Sequence, residues 1–129
     1  MSALETVTDY ITDSRTLLQD TIAPYRYDDP SMLVALNVTL LEMRRIRADL
    51  FVFHEHEHVP HYEHVSTRPV HMEQPFRLAL VYGMCAHALA RDQEDVQDAR
   101  SASFMKIFYE MLLGVRVPGI APAQQGGGN

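Results

Sequence analysis

Apolar residues at helical spacing, in four separated segments, are the feature that most restricts how this chain can fold. The first segment runs from about Leu4 to Gln19, and its apolar positions are Val7, Tyr10, Ile11, Leu17 and Leu18. Residues spaced three and four apart share one face of an α-helix. The same spacing occurs after Asp29-Pro30, from Pro75 to about Ala90, and from about Glu94 to Leu113. The pattern therefore predicts four helices in one all-α domain.

The residues at the expected helix boundaries agree with this prediction. Thr6 or Thr8 can cap the first helix, and Asp29 is expected to cap the second, with Pro30 at its first helical position. Gly114 is a typical residue for ending the fourth helix. We therefore expect an antiparallel four-helix bundle over residues 1–114.

The segment between the second and third helices has a different pattern. Leu50-Phe51-Val52-Phe53 favours a strand, and histidines then alternate with glutamates, which is a period of two. Val59-Pro60-His61-Tyr62 resembles a turn, after which Val65 to Met72 could return as a second strand. We expect residues 50–74 to form a projecting loop or β-hairpin.

Composition and charge limit the possible functions. The chain has 129 residues, of which 47% are apolar and 22% charged, as expected for one globular domain. A single cysteine, Cys85, excludes an intramolecular disulfide. The net charge of −6 argues against tight binding of nucleic acid through its phosphates. We expect no secretory signal, because Met1 to Glu5 contains no basic region followed by an apolar run. We also expect a soluble chain, because the longest apolar stretch, around Leu78 to Leu89, is too short and too polar to cross a bilayer.

A histidine-rich run suggests an alternative function. Residues 54–58 read His-Glu-His-Glu-His and contain the H-E-x-x-H pattern, in which a helix presents two zinc-binding histidines and a general-base glutamate. The required helix conflicts with the strand-prone residues before the run and with Pro60 after it. A metalloprotease-like zinc protein using His54, Glu55 and His58 is the alternative that we keep open. The favoured interpretation is a polar loop whose histidines make only hydrogen bonds. A non-catalytic metal site ranks second, ahead of the metalloprotease-like protein.

The last fifteen residues, Val115 to Asn129, are rich in proline and glycine. Such a segment should be flexible on its own. We expect an extended tail that becomes ordered by docking onto a partner.

Two blocks of the sequence resemble phage head–tail adaptor (connector) proteins of the long-helix type. The first block consists of Tyr10-Ile11-Thr12-Asp13, Leu17-Leu18-Gln19-Asp20, Tyr25-Arg26-Tyr27, Leu36-Asn37 and Arg47-Ala48-Asp49-Leu50-Phe51. The second consists of Tyr82-Gly83, Ala88-Leu89-Ala90-Arg91-Asp92, Glu94-Asp95, Asp98, Arg100, Phe104 and Phe108. Family members often carry proline at the position of Ala48. The histidine-rich middle and the tail have no counterpart in the resemblance.

The resemblance implies a structural virion protein and not an enzyme. It implies a ring, typically of twelve subunits, bound beneath the portal protein and above the tail tube or nozzle protein. DNA would pass through the lumen without specific binding, and no cofactor, metal or membrane would be involved. The chain would assemble in the host cytoplasm and reside at the head–tail junction of the virion.

Two sets of residues follow as predicted contact sites. The C-terminal extension of such proteins commonly docks onto the portal, so the predicted portal-binding residues are Val115, Arg116, Val117, Pro118, Ile120 and Pro122. The predicted contacts with neighbouring subunits or with the tail protein lie in the middle loop, at Phe53, His54, His56, His58, Tyr62, His64 and His71. No catalytic residue is predicted.

Overall fold

Four α-helices make up the regular structure of this chain. The computed structural model describes residues 3–51, 59–91 and 95–114. The helices are α1 (Val7–Leu18), α2 (Asp29–Ile46), α3 (Arg77–Ala90) and α4 (Asp95–Leu113). Short 3₁₀ turns follow α2 at Ala48–Phe51 and precede α3 at Gln74–Phe76. The prediction of an all-α chain is confirmed for these residues, among which no strand occurs.

The ends of α1 and α2 are fixed by local side chains. At the start of α1 the Thr6 hydroxyl accepts a hydrogen bond from the Asp9 amide, and the Asp9 carboxylate accepts one from the Thr6 amide. The cap of α2 is Asp28, whose carboxylate accepts the Ser31 amide at 2.9 Å. The predicted cap Asp29 is therefore wrong by one residue, because Asp29 already lies in the first turn of the helix.

Helix α3 is the centre of the fold, since it packs against α1, α2 and α4. Its buried residues are Ala79, Leu80, Val81, Gly83, Met84, Cys85, Ala86, Ala88 and Leu89. Small side chains let the neighbouring helices approach closely: a Cβ added at Gly83 would lie 2.9 Å from the Phe108 ring and would overlap the Thr39 methyl. In α2, Met32, Leu36 and Leu40 are also buried.

The segment between α2 and α3 is not a hairpin where the structure describes it. Leu50 and Phe51, predicted to begin a strand, form a buried 3₁₀ turn. The predicted return strand over Val65 to Met72 is wrong as well: these residues make one isolated bridge, between Pro69 and Thr6. The backbone of this segment bonds to the start of α1, where the amides of Val7 and Thr8 donate to the carbonyls of residues 68 and 66. The segment therefore lies against the helices.

Within the three described ranges, no helix combines the length and the apolar character needed to cross a membrane.

Candidate interaction surfaces

The predicted contact residues divide into those that the structure describes and those that it does not. The portal-binding residues of the tail, 115–122, lie outside the described residues, and so do Phe53, His54, His56 and His58. The zinc pattern His54-Glu55-His58 falls in the same undescribed range. Tyr62, His64 and His71 lie within the described residues.

Tyr62 belongs to the core of its own chain and is only 3% exposed. Its backbone amide donates to the Asn37 side chain at 2.9 Å, and the Asn37 amide group donates back to the Tyr62 carbonyl at 2.8 Å. The Tyr62 hydroxyl donates to the carbonyl of Pro69, and the Arg68 guanidinium lies over its ring at 4.6 Å. Tyr62 thus joins the middle segment to α2, whereas His64 and His71 are exposed.

The described histidines do not form a metal centre. Across residues 3–51, 59–91 and 95–114, no group of three or more histidine, cysteine or acidic side chains is arranged to hold an ion. His87 lies half-buried on α3, and its Nε2 atom is buried without a hydrogen-bond partner among the described residues. Burial lowers the pKa of His87. Burial raises the pKa of the Cys85 thiol to about 12, which makes this cysteine a poor nucleophile.

The outer face of α2 exposes apolar side chains. Val38 is 38% exposed and Leu41 59% exposed, and Val34 lies one turn before Val38 on the same face. This face is opposite to the buried one, so α2 is apolar on both sides. A helix of this kind is normally covered on both sides. The outer face of α2 is therefore a candidate protein–protein interface.

The outer face of α2 borders a polar cluster shared with α4. The Tyr109 hydroxyl donates to Glu42 Oε2 at 2.6 Å, and Arg45 donates to the same oxygen at 2.7 Å. Bonding to Arg45 and Tyr109 lowers the pKa of Glu42, so its carboxylate is charged at neutral pH. The cluster fixes α4 against α2 at one edge of the apolar face.

The linker between α1 and α2 exposes the side chain of Ile22, which is 82% accessible. The Asp20 carboxylate holds the linker from inside by accepting the amides of Arg26 and Tyr27 at 2.8 and 3.0 Å. Buried Arg15 adds a bond to the Tyr27 carbonyl at 2.8 Å, and its guanidinium stacks on the Tyr25 ring at 4.0 Å. These bonds order the backbone of the linker, residues 20–28, on which the Ile22 side chain is exposed.

An open groove of about 440 Å³ lies at the other end of α1. It is lined by Glu5, Thr6, Pro69, Val70, His71, Met72, Glu73 and Arg77. The Arg77 side chain joins the two walls by donating to the carbonyls of Met72 and Ala3 at 3.0 and 3.1 Å. We call this feature the N-terminal groove.

Sequence reasoning did not identify the outer face of α2, the exposed Ile22 or the N-terminal groove. The outer face of α2 could have been predicted from the spacing of Val34, Val38 and Leu41. These residues repeat at helical spacing on the side of α2 away from its buried residues. No local sequence pattern predicts the N-terminal groove, because its walls come from segments more than sixty residues apart.

Comparison with known proteins adds no assignment: no family model, no curated protein and no solved structure matches this chain.

Proposed function

We propose that this chain is a ring-forming structural subunit of a phage head–tail junction. It joins the portal to the tail tube or nozzle protein, and DNA passes through the ring. The proposed subunit is an antiparallel four-helix bundle with a loop between α2 and α3 and a C-terminal docking tail. Two contacts support antiparallel α3 and α4: Ser101 donates to the Ala86 carbonyl, and Phe108 lies beside Gly83.

The outer face of α2 is the observation that carries the proposal. The fold already has its own core of fully buried side chains, among them Tyr10, Phe51, Leu80 and Phe108. The exposed Val38 and Leu41 are not needed to complete that core. Exposed apolar groups on a stable domain are typical of surfaces that meet another protein. A ring subunit needs two such surfaces, one for each neighbour.

The charge of the chain is compatible with a lumen that DNA crosses. At a net charge of −6, the chain as a whole repels the phosphate backbone. Phosphate contacts supply most sequence-independent affinity for DNA, so an acidic wall lets the duplex slide without being held. The predicted portal contacts, Val115 to Pro122, give the tail an apolar strip suited to a protein groove.

Native mass spectrometry of the purified full chain tests the ring. The expected species has close to twelve times the 14.7 kDa mass of one chain. Leu41→Asp places a charge on the outer face of α2 and should reduce the assembled fraction. Thr16→Asp, at an exposed position of α1, is the matched control and should assemble normally. A wild-type chain that remains monomeric at all concentrations would refute the ring.

A zinc determination on the same preparation separates the structural role from the metalloprotease-like alternative. We expect less than one zinc ion per ten chains after dialysis. Glu55→Gln should leave assembly unchanged, because no general base is needed by a ring subunit. Stoichiometric zinc together with peptidase activity that is lost in Glu55→Gln would support the alternative instead.

A further inference from the structure

We propose that the N-terminal groove of the free subunit holds the start of the chain's own C-terminal tail, residues 115–122. The occupant of the groove is thus a segment of the same chain, and it leaves the groove when it docks onto the portal. The release step rests on the proposed function, whereas the contact itself can be tested in the isolated chain.

The tail leaves the fold beside the groove. In the last turn of α4, the Leu112 carbonyl accepts a hydrogen bond from the Arg47 guanidinium at 2.7 Å. The same guanidinium lies over the Phe76 ring at 5.0 Å, and Phe76 directly precedes Arg77, which lines the groove. Seven extended residues reach about 23 Å. Residues 115–121 can therefore enter the groove from this exit.

The groove and the tail carry opposite charges. Among the described residues that line the groove, the exposed carboxylates of Glu5 and Glu73 stand against one guanidinium, that of Arg77. The Arg77 side chain already donates to two backbone carbonyls. Arg116 is the only charged side chain among residues 115–129. Opposite charges of this kind favour the correct docking of one segment over others.

Glu73 lies on the side of the groove that faces the end of α4, because its charge acts on Arg47. Arg47 is itself paired with Asp49 through two hydrogen bonds of 2.9 and 2.8 Å. Glu73 can therefore attract a further cation. Arg116, the second residue of the tail, is the cation nearest to it along the chain after α4.

The apolar parts of the two surfaces also match. Val70 and Met72, each 4% exposed, give the groove an apolar floor. The tail residues suited to cover this floor are Val115, Val117 and Ile120. The same three residues belong to the proposed portal contact, so the groove and the portal compete for one apolar strip.

This contact needs to be only weak. A segment attached beside its site has an effective concentration on the order of millimolar, so a millimolar dissociation constant fills about half of the grooves. Half occupancy changes the ratio of folded to unfolded chains only about twofold. The domain therefore does not depend on the tail for folding, and the portal can draw the tail out.

Disulfide formation within the isolated chain tests the contact. The groove pair is Glu5→Cys with Ala121→Cys. The control pair is Leu41→Cys with Ala121→Cys, because Leu41 is exposed on the outer face of α2, which borders α4. At a concentration at which native mass spectrometry shows monomers, the groove pair should close at least fivefold faster than the control pair. Buried Cys85 does not compete.

A charge exchange gives a second measurement. Added to the groove pair, Arg116→Glu should slow closure at least threefold, and Arg116→Glu together with Glu73→Arg should restore most of the rate. Equal rates for the groove and control pairs, or closure that ignores both charge changes, would overturn the contact and leave the proposed ring intact. Covalent dimers in place of a closed monomer would overturn the assignment to the chain's own tail.

The groove pair also tests the release step. In the oxidised form the tail is locked, so we expect at least tenfold less co-purification with the portal protein than in the reduced form. Ala121 is not among the proposed portal contacts, so the reduced form should bind as the wild type does. Equal binding of both forms would overturn the release step and the docking role of the tail, while the contact in the groove would stand.

Discussion

At the residue scale, Gly83 controls how closely three helices approach. Its missing side chain leaves room for the Thr39 methyl and the Phe108 ring. Gly83→Ala gains about 1 kcal/mol of helix propensity. It also forces both neighbours outward, which costs about 1–3 kcal/mol and usually more than the gain. We expect the free energy of unfolding of Gly83→Ala, measured in urea, to be lower than that of the wild type.

A second substitution checks the cause of this loss. Thr39→Ser removes the methyl group nearest to the added Cβ and keeps the hydroxyl that donates to the Ala35 carbonyl. The double variant Gly83→Ala, Thr39→Ser should therefore recover part of the lost stability. Equal stability of Gly83→Ala and the wild type would contradict the packing description.

His87 makes the stability of the fold depend on pH. Burial lowers its pKa from the ordinary 6.5, and the charge of Glu42 only partly opposes this. Below pH 6.5 the unfolded chain takes up a proton that the folded chain resists. The contribution of neutral His87 to the free energy of unfolding is therefore fully present above pH 6.5. It is lost as the pH falls toward the lowered pKa of His87 in the folded state.

Replacing His87 by leucine should reduce this dependence. Its Nε2 atom has no partner to lose, and leucine can occupy a similar apolar space. We expect the free energy of unfolding of His87→Leu to fall less than that of the wild type between about pH 7.5 and about pH 5.5. Identical slopes for His87→Leu and the wild type would rule out this role.

At the scale of elements, the paired bonds between Asn37 and Tyr62 hold the middle segment on α2. Asn37→Ala leaves the Tyr62 amide and carbonyl without their partners in a part-buried position. Such a loss costs about 1–3 kcal/mol. We expect lower stability in urea and faster chymotryptic cleavage after Tyr62, which is buried in the folded chain, because the segment opens more often.

A matched truncation on the same helix tests this explanation. Val38→Ala removes an exposed side chain of α2 and should change the free energy of unfolding by no more than about 0.5 kcal/mol. If cleavage after Tyr62 were no faster in Asn37→Ala than in the wild type, other contacts would hold the segment.

The elements that were predicted well are those whose sequence patterns lie among neighbouring residues. The helices could be predicted because their apolar spacing and their end residues, such as Thr6 and Gly114, are patterns that span only a few neighbouring residues. The Leu50-Phe51 pair was assigned wrongly because packing into the core outweighed its strand preference. The return strand failed because its true partner, Thr6, lies about sixty residues away. The N-terminal groove has the same long-range origin and was missed for the same reason.

At the scale of the whole molecule, the domain and the tail are expected to be separable. Helix α4 ends at Leu113, and Gly114 has the positive φ of 67° that suits a helix stop. Its amide donates to the Glu110 carbonyl at 2.9 Å, and Arg47 donates to the Leu112 carbonyl at 2.7 Å. The described bonds that end α4 thus involve residues up to Gly114.

Deletion of residues 115–129 should leave the free energy of unfolding within about 0.5 kcal/mol of the wild type. It should abolish co-purification with the portal protein, because the proposed docking residues are removed. A full-length chain with Val117→Asp and Ile120→Asp controls for tail length and should also fail to bind. Normal portal binding by the truncated chain would exclude the tail as the docking segment.

The bonds that complete α1 also set the order in which a nascent chain can fold. Thr8 donates to the Ser66 carbonyl through both its amide and its hydroxyl, and α1 packs on α3. Helix α1 therefore leaves the ribosome before Ser66 and α3, which complete its contacts, have been synthesised. Its apolar stripe is exposed during that interval, which is when an incompletely folded chain is most prone to associate prematurely.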